Sequence, residues 1–83
     1  MITNSLTSSS MVFYKVKISS TTHPEMNIAS TFPSYAAAYH CYSVHKGIAE
    51  SLQEDDTTFV STGNSFKLSK GDEIILKAFL TRL

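Results

Sequence analysis

Two residues near the middle of the chain have the types and the spacing to do chemistry together. Cys41 and His45 stand four positions apart in YAAAYHCYSVHK (residues 35–46), which holds three tyrosines, two histidines and the only cysteine of the chain. On a helix, a thiol and an imidazole at i,i+4 can pair as nucleophile and base, or share a metal ion. Either role needs further groups. A dyad wants a carboxylate to orient the base and donors for an oxyanion, and no such signature accompanies the pair. On a regular helix His40 projects about 140° round from Tyr35 and His45 about 280°, so the two cannot chelate one ion. His23 belongs to a polar loop. There is no CxxC or HxxxH spacing, no P-loop and no GxSxG. The expectation is a chain with no catalytic residues, no metal and no cofactor, in which Cys41 is a small buried hydrophobe.

The element that carries these residues is expected to be a helix over 34–52. Ser34 and Thr31 are both plausible caps, Pro33 suits a helix start, and three alanines favour the helical state. Gly47 weakens it by about 1 kcal/mol relative to alanine. Glu54, Asp55 and Asp56 oppose the dipole at its end and mark a stop. At 100° per residue, Ala37, Cys41, Val44, Ile48 and Leu52 share one side, which is expected to face the core. Tyr35, Tyr39, Tyr42, Lys46, Glu50 and Gln53 share the opposite side. Tyrosine gives a stiff, amphipathic contact surface. The outer face therefore predicts a protein interface made by Tyr35, Tyr39, Tyr42, Lys46 and Glu50.

The rest of the chain reads as strands. Residues 12–19 alternate, with Val12, Tyr14, Val16 and Ile18 on one side and Phe13, Lys15 and Lys17 on the other. Met26, Ile28 and Phe32 suggest a weaker second strand pairing back on the first. TTFVS (57–61) and SFKLS (65–69) flank the turn formers Gly63 and Asn64, and Lys70-Gly71-Asp72 is a further turn. Residues 73–82 fit either a helix or a strand. The preceding turn and the Ile74-Ile75 pair favour a strand with Ile74, Leu76, Ala78 and Leu80 inward. The order is ββαβββ, an α+β two-layer fold with one helix on a mainly antiparallel sheet. Residues 1–10, rich in Ser, Thr and Asn, read as a flexible tail before a single α+β domain over 11–83.

A lone helix covers one face of such a sheet. The other face is expected to present Phe13, Lys15, Lys17, Lys67, Ile75, Lys77 and Phe79. Aromatics interleaved with lysines on an open sheet have the physical logic of a platform for single-stranded nucleic acid, with Phe13, Lys15, Lys17, Lys67, Lys77 and Phe79 as its contacts.

The totals narrow the partners. Eighty-three residues with formal net charge +0 do not predict general attraction to polyanions. Distribution matters more, because four of the seven acids are Glu50, Glu54, Asp55 and Asp56, well away from most of the lysines. Their spacing is not that of an EF-hand loop. No apolar run approaches the ~20 residues that cross a bilayer. MITNSLTSSS has neither the basic nor the apolar region of a signal peptide. With a free thiol, this points to a cytoplasmic protein and away from a membrane. The leading expectation is a non-enzymatic module that binds another protein or itself by steric docking. In size and layout it resembles small phage or mobile-element proteins that act as inhibitors or adaptors. The alternative is binding of single-stranded nucleic acid on the open sheet face.

Overall fold

The computed structural model describes residues 12–83. The tail expected over 1–10 lies outside them. Among the described residues there are five strands and one α-helix: β1 Tyr14–Ser19, β2 Ile28–Phe32, α1 Tyr35–Ser51, β3 Thr58–Ser61, β4 Ser65–Lys70 and β5 Glu73–Arg82. A 3-10 turn, Pro24–Met26, precedes β2, so Met26 belongs to this turn and not to the strand. All pairings are antiparallel and the sheet order is β2-β1-β5-β4-β3. The result is the α+β two-layer fold, ββαβββ, with residues 73–82 as a strand in the middle of the sheet.

Local sequence explains the joints. Ser34 caps α1, its Oγ accepting from the Ala37 N–H at 3.2 Å. The helix runs unbroken through Gly47 and ends at Leu52. Between β4 and β5 the two-residue loop Gly71-Asp72 needs a left-handed first position, and Gly71 supplies it with φ 60°. Between β1 and β2 the buried Ser20 ties the loop down. Its N–H donates to Asn27 Oδ1 at 2.7 Å, and its Oγ accepts from the His23 N–H at 2.9 Å.

The core lies between α1 and one sheet face. Val16 and Ile18 of β1, Phe66 and Leu68 of β4, and Leu76, Ala78 and Leu80 of β5 pack under Ala38, Tyr42 and Ala49 of the helix. Two expected orientations are overturned here. First, the helix is turned by about 100° from the expected setting. Tyr42 is 1% exposed, whereas Val44, Ile48 and Leu52, expected inside, are 45%, 36% and 44% exposed. Alanines occur all round α1, so its apolar stripe is shallow. Ala38 and Ala49, both fully buried, let the helix approach the sheet closely, and the Tyr42 ring fills the space beside Phe66, at 5.5 Å between centroids. Second, β5 carries a bulge. Leu68 faces Leu76 but Ser69 faces Ile74, so Ile75 is an extra residue. Ile75 therefore packs against the core, and Ile74 takes the outward place expected for Ile75.

Candidate nucleic-acid interface

The alternation of β1 and β5 aims Phe13, Lys15, Lys17, Lys77 and Phe79 away from the helix, and the pairing register assembles them. Lys17 faces Phe79 across β1–β5, and Lys67 faces Lys77 across β4–β5. Val60 lies opposite Lys67, and Ser65 opposite Phe79. Neighbours along these rows are about 5 Å apart across the sheet and about 7 Å apart along a strand. The four lysines thus form one diagonal band with Phe79 at its centre. Phe79 is 45% exposed and Phe13 38%. Lys77 Nζ lies 5.6 Å from the Phe79 ring centroid, a cation–π contact. Beside this pair is a shallow depression of about 380 Å³ lined by Val60, Ser65, Lys67, Ile74, Lys77 and Phe79.

Two electrostatic facts mark this face. None of the seven acids lies on it. Glu25 is in the 3-10 turn, Glu50 on the helix, and Glu54, Asp55 and Asp56 in the loop after α1. Asp72 is in the β4–β5 turn, and Glu73 lies opposite Lys70 on the helix side of the sheet. A chain of zero net charge is therefore strongly dipolar. In addition, Lys67 and Lys77 are placed directly opposite each other, which costs stability instead of adding to it. Among the described residues no carboxylate lies beside this pair to offset its repulsion.

The tyrosine face is broken up by the helix rotation. Tyr35 and Tyr39 are 51% and 43% exposed, with Lys46 half-buried and Glu50 exposed beside them. Tyr42 cannot contribute as expected, because its ring is in the core. The rings form a continuous aromatic ladder. Tyr14 meets Tyr35 edge-on at 5.5 Å, Tyr35 stacks on Tyr39 at 5.7 Å, and Tyr39 meets Tyr42 at 5.9 Å. Part of each exposed ring is thus already engaged within the chain.

Cys41 and His45 do come together, but in a form that blocks dyad chemistry. His45 Nδ1 lies 2.8 Å from the Cys41 carbonyl oxygen and 4.0 Å from Sγ. A carbonyl can only accept, so Nδ1 carries the proton and donates it there. The same nitrogen cannot take a proton from the thiol. Burial also pushes the Cys41 thiol up from its ordinary value, away from thiolate. Cys41 is half-buried, at the edge of the core instead of the centre expected for it. His40 is exposed, and His23 Nδ1 is engaged with Thr22 Oγ1 at 2.8 Å. Among the described residues, no three His, Cys, Asp or Glu side chains gather as metal ligands.

Sequence reasoning missed Val60, Ser65 and Ile74. Val60 was visible as the outward residue of TTFVS, opposite the position of Lys67 in the following hairpin. No family model matches the chain, and comparison with curated proteins and with solved structures finds no match. No helix among the described residues is long and apolar enough to cross a membrane.

Proposed function

We propose that the chain is a non-enzymatic binding module whose open sheet face holds single-stranded nucleic acid. The observation that carries this reading is the acid-free band Lys15, Lys17, Lys67 and Lys77, with Lys67 and Lys77 opposed and an exposed Phe79 on β5, between β1 and β4. The lysines neutralise successive phosphates, and Phe79 and Phe13 offer ring faces to bases. Bases can reach those rings only when they are unstacked, so a single strand is the fitting ligand. A flat face also has no protruding helix or ribbon to enter a major groove. The lone Cys41 thiol suits a reducing, cytoplasmic setting.

The test is fluorescence anisotropy with labelled oligo-dT and oligo-U over a range of salt. Four phosphate contacts give a log–log slope of about −2.8 for a single strand, or ~50-fold weaker binding at 200 mM than at 50 mM salt. Changing Lys67 and Lys77 to glutamine together should halve the slope, leaving only a ~7-fold loss over the same range. Phe79→Ala should weaken binding by about 1–3 kcal/mol without altering the slope. No binding at low salt, or a slope unmoved by the double change, overturns the reading.

A second reading is docking onto a protein, as an inhibitor or adaptor, through the tyrosine side of α1. The half-exposed stacked pair Tyr35 and Tyr39, beside Lys46 and Glu50, favours it. Changing both tyrosines to serine should then abolish association with the partner, or with a second copy, while the domain stays folded. Association that survives the change removes this reading.

A further inference from the structure

The helix rotation leaves a second surface that the open sheet face does not use. Val44, Ile48 and Leu52 follow one another at i, i+4 and i+8 and are 45%, 36% and 44% exposed. On a helix, side chains at this spacing lie side by side, so the three form one apolar strip about 12 Å long. Ala37 and Cys41 extend it toward the helix start. At its other end Leu52 enters a depression of about 340 Å³, with Leu52 and Ile75 as its apolar lining and Thr22, His23, Glu54, Lys70 and Glu73 around them. That end of the molecule is acidic. Glu54, Asp56 and Glu73 surround Lys70 there, whose ammonium is bound to Asp56 at 3.1 Å. Glu54 and Glu73 border the depression itself.

We propose that this strip and depression form a docking groove for one helical segment of a partner protein. The segment has apolar side chains on one face and a Lys or Arg at the end that enters the depression. Each half of that description answers an observed feature. Uncharged Val44, Ile48 and Leu52 accept an apolar helix face in ridge-to-groove contact. Gly47 is exposed beside them and a side chain there would meet nothing within 4 Å, so a partner backbone can come close. The net negative charge where the strip ends selects a basic residue over an acidic one. The groove lies on the helix layer, and the lysine band lies on the outer face of the sheet. The chain can therefore hold a protein and a polyanion at once, as an adaptor does.

The test uses the full chain and three labelled synthetic peptides in an anisotropy assay. One is a helical peptide with leucines at i, i+3, i+4 and i+7 and a terminal Lys-Arg pair. The second replaces that pair with Glu-Glu, and the third replaces the leucines with serine. Only the first should bind. Ile48→Asp should abolish its binding, and Glu54→Gln with Glu73→Gln should weaken it about fivefold. Val44→Glu is the companion variant should Ile48→Asp fail to fold, as judged by its circular dichroism melt. Oligonucleotide binding should be unchanged in each folded variant, which separates this site from the sheet face. Equal binding of the Lys-Arg and Glu-Glu peptides, or none by either, overturns the proposal. So does a concentration-dependent dimer in sedimentation equilibrium that Ile48→Asp dissolves, because the groove would then belong to a second copy.

Discussion

Removing one oxygen atom, in Tyr42→Phe, should make the protein more stable. The Tyr42 ring is fully buried against Phe66 and Tyr39, yet its hydroxyl finds no hydrogen-bond partner among the described residues. A buried polar group left without a partner costs about 1–3 kcal/mol. Phenylalanine keeps the ring and its contacts and deletes only the oxygen. The expected gain is therefore about 1–2 kcal/mol, or a Tm higher by roughly 4–8 °C per kcal/mol for a domain of this size. Tyr42→Ala bounds the other side. It should cost about 3–5 kcal/mol, a large share of the stability of a small domain. Urea unfolding followed by circular dichroism measures both, with an unchanged m-value for the phenylalanine variant. The sign of the pH dependence gives a second readout. Burial first, and then the neighbouring Tyr39 and Tyr35, raise the Tyr42 phenol above its ordinary value of 10.0. The native state then holds this proton where the unfolded chain has lost it. Stability is undiminished below pH 10 and falls as pH rises past it, and Tyr42→Phe should fall less. A phenylalanine variant less stable by more than about 1 kcal/mol would mean that the hydroxyl is well bonded. The placement of the helix face described above would then be wrong.

Three further outcomes follow from the geometry. Lys67→Glu should raise stability by about 0.2–1 kcal/mol in urea unfolding, by relieving the opposed pair with Lys77, while it weakens oligonucleotide binding and lowers its salt dependence. Ser34→Ala should cost about 1 kcal/mol in the same assay, because it leaves the first turn of α1 without its capping oxygen. Cys41 should react with a thiol reagent more slowly in the folded protein than after unfolding, and equal rates would show a fully exposed thiol that the structure does not have.

Much of the fold was legible because β1, β4 and the part of β5 after Ile75 alternate, and their turns use Gly71 or the Gly63-Asn64 pair. The helix limits were legible from Ser34 and from the acids after Leu52. The helix face was not, because three consecutive alanines near its start blur the stripe. Burial was decided instead by the space that one large ring could fill beside Phe66, a property of the assembled sheet. The bulge at Ile75 hides among equivalents, since either isoleucine can face inward. A signal for it does exist. Counting back from the Lys70–Glu73 pair without a bulge sets Lys67 against Leu76 and Phe66 against Lys77, charge against core on both rows. One extra residue in β5 restores like with like. The side of the sheet that carries the lysines followed from alternation alone. Its depression did not, because Val60, Ser65 and Ile74 become its walls only through the register.

The central position of β5 has a consequence for how the chain folds. Its partners in β1 lie about sixty positions earlier, so that seam closes a long loop at an entropic cost of about 3–4 kcal/mol before any contact compensates. The contacts between β3, β4 and β5 are local hairpins and form cheaply. The carboxyl-side meander is thus the expected nucleus, and the amino-side hairpin is recruited to it late, together with the helix that needs both to lie on. Weakening residues 73–82 would uncouple the two halves of the sheet, whereas an equal defect in β2 or β3 would only fray an edge.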